Sequence, residues 1–313
     1  MTEPVIQTTG LTKRFDGRAV VDGLDLQVPP GSVTGFLGVN GAGKSTTMRM
    51  LTGHLSPSAG DVRVFGADPR EHSAETLQRI GYVSDTMNLP GRMSVGRVME
   101  MNAGFFTRWD QTLADTLCRE FELNASDRFQ KLSFGQKRRV VLMQALCQGA
   151  DLLMMDEPAG GLDVLARRLF MDRVLDIACS EGRTVLVSSH LLSDLERVVD
   201  RVVFIHKGLL LLQGNLEELK TGVRRMQFEA DVPRDALDRH FNIISYRQPK
   251  PDRTVSTVVD FSEERFDQLA ADVSAASNVR TEQLNLEDMF VELVGADGPL
   301  TAVTSPGREA VEV

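Results

Sequence analysis

Between an apolar run at residues 33–37 and a helical stretch at residues 46–55 stands Gly38-Val39-Asn40-Gly41-Ala42-Gly43-Lys44-Ser45, a match to GxxxxGK[ST]. The pattern constrains its surroundings because it works only after a strand and before a helix, and both are readable here. Its glycines let successive N–H groups turn toward one centre. The positive end of the following helix completes a nest suited to a di- or triphosphate. Lys44 supplies a mobile charge for the β and γ phosphates and Ser45 a hydroxyl for Mg2+. Gly38, Asn40, Gly41, Ala42, Gly43 and Thr46 complete the expected nucleotide-binding set. A glycine-rich turn without a ligand is the alternative, and the flanking strand and helix weigh against it.

The rest of the chain supplies a sheet for that loop. Short apolar runs at residues 33–37, 152–155, 184–188 and 202–205 alternate with longer amphipathic stretches, as in strands buried on both faces of a parallel α/β sheet. Residues 86–150 lack such a run. Met99, Met101, Phe105, Phe106, Leu113, Leu117 and Phe121 recur there at helical intervals, which predicts a helical insertion. Beyond residue 221 the texture changes: strands are expected at 226–232, 243–247 and 254–261 and a helix at 264–276, the order of a small βαββαβ unit reaching residue 295. Residues 296–313, rich in Gly, Pro, Ser and Thr, read as a flexible tail.

Composition excludes several function classes. The 313 residues are 42% hydrophobic and 25% charged with a net charge of −9, so a broad basic face for nucleic acid is not expected. No apolar run is long enough to span a bilayer, and the opening residues have no export signal. Cys118, Cys147 and Cys179 lack metal-ligand spacing and read as small apolar residues of a reducing compartment.

A phosphate loop does not say what becomes of the phosphates. Leu152-Leu153-Met154-Met155-Asp156-Glu157-Pro158 is a buried strand ending in two carboxylates, which pleat alternation is expected to send to different sides. Asp156 would accept from Mg2+-bound water. Glu157 would polarise or deprotonate the water attacking the γ-phosphate. By itself an acidic pair after a strand is as readily a solvated turn or a helix cap.

Leu132-Ser133-Phe134-Gly135-Gln136 stands just before a long amphipathic run and then that acidic strand. With the phosphate loop upstream, this order resembles the ATP-binding subunit of ABC transporters, in which an LSGGQ signature precedes the catalytic strand. The resemblance covers roughly residues 4–220. It implies an α/β fold, a P-loop NTPase cassette with a helical subdomain, to which a small α+β C-terminal domain is added. It makes Glu157 and His190, with Lys44, catalytic. His190 takes the position of the switch histidine that contacts the γ-phosphate. The resemblance gives Phe15 the place of the aromatic that stacks on adenine, with a core Phe as the alternative. It sets Asp85 at a position usually held by Gln, beside Ser45 and Asp156 at the metal. Gly160-Gly161-Leu162-Asp163 matches the loop that crosses the dimer interface in relatives.

The signature departs from the family at Phe134, where glycine is commoner. Ser133, Gly135 and Gln136 remain to meet a γ-phosphate at a second helix N-terminus. In the family two cassettes pair head to tail with each ATP between the loop of one and the signature of the other, so a second ATP-binding subunit, identical or related, is implied. Separate membrane-spanning permease subunits are also implied, and with them a cytoplasmic location at the inner face of the membrane. Phe105, Phe106 and Trp109 are candidates to face them, although an apolar cluster of this spacing is more often core. Leu286, Met289, Phe290, Leu293 and Val294 form a stripe that would dock a last helix on its own domain. That ending resembles exporter-like cassettes, which favours export over import. Soluble ABC ATPases acting on DNA or ribosomes carry long coiled coils or a fused second cassette, and this chain has neither. A subunit that binds ATP without turning it over is the other alternative, and the presence of Glu157 opposes it.

Overall fold

The computed structural model describes residues 3–84, 89–161, 164–180, 182–250, 252–273, 279–295 and 303–304. Asp85, Asp163 and nearly all of the expected tail lie outside the described residues, as does the side chain of Cys179. Two compact units result, one built from residues up to Val199 with Lys207–Leu209, the other from Asp200–His206 and from Leu210 onward.

In the first unit, Val33–Leu37, Thr184–Ser189, Leu152–Asp156 and Ile80–Val83 lie side by side in that order, all parallel. Val33–Leu37 and Leu152–Asp156 are buried at every residue, which explains their mainly apolar character. The register opposes Leu37 to Ser189 and Asp156 to Ser188. Three carboxyl ends therefore finish within one residue of one another, on the edge where α/β sheets bind ligands. The helices Lys44–Leu51 and Phe134–Cys147 pack on this sheet, against Leu152–Asp156 and Ile80–Val83 respectively. A second, antiparallel sheet places Ile6–Phe15 between Arg18–Leu24 and two further partners, Gln27–Val28 and Ala59–Val64. Its hairpin turns on Asp16 and Gly17, both at positive φ (49° and 81°), the conformation that matches the twist of paired strands.

Between the strands lie the helices Val95–Phe105, Gln111–Glu120 and Phe134–Cys147, begun by the side-chain caps Ser94, Asp110 and Ser133. Val98, Met99, Leu117, Val140, Leu142 and Met143 are buried. Phe105 is not part of that core: it is 69% exposed, while Phe106 and Trp109 are half-buried. Cys118 is half-buried and Cys147 buried.

The second unit contains Arg224–Phe228, Arg234–Asp238, Ile243–Lys250, Arg253–Val258, Glu263–Asp272 and Val279–Gln283, which is the β-α-β-β-α-β order expected from sequence. Its sheet is antiparallel, ordered Ile243–Lys250, Arg253–Val258, Arg224–Phe228, Val279–Gln283. Met226, Phe228, Val232, Leu237, Phe241 and Leu269 form its core. The helix Leu286–Val294 buries Leu286, Met289, Phe290 and Leu293, with Phe290 against Phe204 at 5.7 Å. Val294, expected on the same stripe, is exposed at the last residue of the helix.

Candidate active site

The loop after Val33–Leu37 takes its shape from glycine. Gly41 and Gly43 have φ of 80° and 110°, and Gly43 is the residue from which the helix Lys44–Leu51 starts. Gly208 donates to Ala42 O at 2.9 Å and Ala42 to Val39 O at 3.1 Å, holding the turn closed. Lys44 is only 6% exposed. Its Nζ donates to Gly38 O at 2.6 Å and Val39 O at 3.2 Å, so the charge is folded back under its own loop.

Directly beside it stands Glu157. Its Oε1 finds no hydrogen-bond partner among the described residues and lies 3.4 Å from Lys44 Nζ. Oε2 accepts from His190 Nδ1 at 2.8 Å. The carboxylate is 18% exposed and the imidazole 39%, so this corner opens toward solvent while Lys44 does not. Glu157 is not carried there by pleat alternation. The strand ends at Asp156, and Glu157 leaves it at φ 47°, a left-handed conformation that costs a non-glycine residue free energy and is kept only where neighbours enforce it.

Two enforcing groups come from residues outside the expected site. Ser188, fully buried and level with Asp156 in the register, donates its hydroxyl to Asp156 Oδ1 at 2.7 Å and accepts from Glu157 N at 2.9 Å. Arg138, 1% exposed, donates Nε to Pro158 O at 2.9 Å and Nη2 to Asp156 O at 3.2 Å and to Glu157 O. Helical spacing signals Arg138: it shares the i, i+4, i+7 face with buried Leu142 and Ala145. Just before the strand, Asp151 is bound by Arg79 Nε and Arg108 Nη1, each at 2.7 Å. Burial would raise its pKa, and the two guanidinium bonds outweigh that and hold it below the ordinary carboxylate range.

The family model described as "ABC transporter" matches residues 21–160. The bacitracin transport ATP-binding protein BcrA of Bacillus licheniformis is 31% identical over 306 residues, 93% of this chain and 97% of that protein. This chain belongs to the ABC transporter ATP-binding family. A Nod factor export ATP-binding protein I of Cupriavidus metallidurans is 30% identical to this ABC protein across 94% of its length and 98% of the relative's. Among solved structures, an ATP-binding subunit of an ABC transporter has a TM-score of 0.62 at 24% identity, over 69% of this chain and 92% of that one. A dimeric bacterial ABC transporter cassette gives 0.60 at 21%, over 67% and 98%. These last two establish the shared fold.

Within this ABC cassette, Lys44, Glu157 and His190 come together, with Asp156 alongside, 1% exposed. Ser45 and Thr46 open the helix, half-buried. Ser133 and Gln136 form a reciprocal cap: Gln136 N donates to Ser133 Oγ at 3.2 Å and Ser133 N to Gln136 Oε1 at 3.0 Å, fixing the signature helix at its start. Phe134 is half exposed, and its ring stands over Gly161, where a Cβ would lie 2.6 Å from Cε1. Phe15 is 45% exposed at the hairpin tip with Lys13 Nζ 5.2 Å from the ring centroid, so it is no core residue. No helix among the described residues is long and apolar enough to cross a membrane.

Proposed function

We propose that this ATPase is the motor subunit of an exporter, working as a head-to-tail pair of cassettes on separate membrane-spanning subunits at the cytoplasmic face. The observation that carries the catalytic half is the Glu157 carboxylate, held between Lys44 and His190 with one oxygen that accepts no hydrogen bond from the described residues. Export is supported by likeness along almost the whole chain to proteins of bacitracin transport and Nod factor export.

In this reading the amides of residues 38–46 and Lys44 grip the β and γ phosphates, and Phe15 offers a face to adenine. Glu157 takes the proton of the attacking water, and His190 steadies the carboxylate while presenting its ring toward the γ-phosphate. Ser45 and Asp156 would hold Mg2+, with Asp85 and Asp163 proposed beside the metal and the nucleotide. The donor set suits that ion. A buried carboxylate and a hydroxyl are present, while no cluster of three His, Cys, Asp or Glu is found among the described residues, and Mg2+ fills its remaining positions with water and phosphate oxygens. When bound, it neutralises charge on the transferred phosphoryl group. Ser133, Gly135 and Gln136 would close on the partner's nucleotide, so binding draws two chains together and hydrolysis releases them.

The test is a pair of substitutions. Lys44→Ala should abolish nucleotide binding. Glu157→Gln should keep ATP, slow turnover by about 10²–10⁴-fold and accumulate dimers in size-exclusion chromatography. Turnover at the parent rate in Glu157→Gln would remove that residue from the reaction.

A further inference from the structure

We infer that Arg138 is a positioning residue that aims the Glu157 carboxylate and ties it to the helix opening at the signature. This rests on the reading above, in which Glu157 is the base and the Ser133 end meets a partner's nucleotide.

Among the described residues Arg138 is the largest side chain that is less than 2% exposed. A guanidinium is expensive to bury unless its donors are satisfied. Here they serve three successive carbonyls, those of Asp156, Glu157 and Pro158. These peptide groups flank and include the one residue of this segment at left-handed φ, Glu157 at 47°. A planar fork fixes three carbonyls at once in a way that a point charge cannot. It therefore over-determines a conformation that the backbone alone would leave, and the aim of Oε1 and Oε2 follows from that conformation. Gly160 completes the socket: a Cβ there would lie 3.6 Å from Arg138 Nη2 and 3.3 Å from Glu157 O.

The other end of the tie is equally fixed. Arg138 lies one turn into a helix whose start is locked by the Ser133 and Gln136 cap. A small displacement of that start moves the guanidinium, and with it the three carbonyls. In a head-to-tail pair, Ser133 and Gly135 touch the nucleotide held by the partner, whereas Glu157 acts on the nucleotide held by its own chain. Arg138 is thus the link through which one protomer's base registers occupancy of the other pocket.

Arg138→Lys keeps the charge and loses the fork. It should lower kcat by about tenfold or more, leave the ATP dissociation constant of the full-length protein within about twofold, and reduce the Hill coefficient of turnover toward one. The control is Arg183→Lys, since Arg183 is also buried and donates to Leu146 O at 2.8 Å near the far end of the same helix. At a comparable loss of Tm it should leave kcat within about twofold. Parent kcat in Arg138→Lys, or equal losses in both variants, would overturn the proposal. Should Arg138→Lys fail to fold, Gly160→Ala presses on the same turn with the arginine in place; it should lower kcat several-fold with ATP binding retained, and parent kcat there would overturn it too. A dead Glu157→Gln beside a fully active Arg138→Lys would sink this inference alone, whereas an active Glu157→Gln would sink the underlying reading.

Discussion

Glu157 and Glu292 are both sheltered carboxylates with cationic neighbours, one in each compact unit, and their surroundings differ in completeness. Glu292 has a side chain 3% exposed and accepts from Ser245 Oγ at 2.5 Å, Arg225 Nη2 at 2.9 Å and Arg247 Nη2 at 2.5 Å on both oxygens. Burial would raise its pKa, yet these bonds prevail and hold it below the ordinary value. Glu157 has one bonded oxygen and one that faces Lys44 at 3.4 Å with no hydrogen bond from the described residues, on a strained backbone. A carboxylate that serves architecture is saturated by its own chain. Glu157, proposed here for chemistry, keeps capacity for what arrives.

The contrast can be broken by measurement. The largest effect should come from Glu292→Ala, which removes a buried carboxylate bonded to Ser245, Arg225 and Arg247: about 3 kcal/mol lost in urea unfolding. Glu157→Gln should shift the same curve by less than about 1 kcal/mol. Equal losses would erase the distinction. Next is Ser188→Ala, which leaves Asp156 Oδ1 and Glu157 N short of a buried partner; about 1–3 kcal/mol of stability should go, with a fall in kcat that Glu292→Ala per folded molecule does not show. The smallest is a slope. Because the folded pKa of Glu292 is depressed, its contribution is complete above the ordinary glutamate value of 4.5 and is lost as pH falls through the lower folded value. Stability of Glu292→Gln should therefore decline less steeply below about pH 4.5 than that of the parent; identical acid limbs would detach the carboxylate from stability.

The parts legible in the sequence were those encoded locally. The phosphate loop, the wholly buried strands and the acidic pair announce themselves within a few residues, and the β-α-β-β-α-β order of the second unit follows from patterning. His190 needed the resemblance, since a lone histidine carries no pattern of its own. What stayed hidden depends on partners far along the chain: Arg138 reaches carbonyls 18 to 20 positions away, Ser188 reaches Asp156 across 32, and Arg225 meets Glu292 across 67. The left-handed turn at Glu157 was hidden for a related reason: glutamate gives no local sign of it, and tertiary contacts impose it. Phe134 was visible as a departure, but its seat over Gly161 was not.

The carboxyl ends of Val33–Leu37, Leu152–Asp156 and Thr184–Ser189, aligned to within one residue, act as a ruler. Deleting one residue inside any of them would slide the residues at its carboxyl end by roughly 3.3 Å and turn them to the opposite face. Length changes between homologous proteins should therefore collect in the connecting segments and spare these strands, so that evolution can resize the loops while the spacing of the proposed site stays measured out.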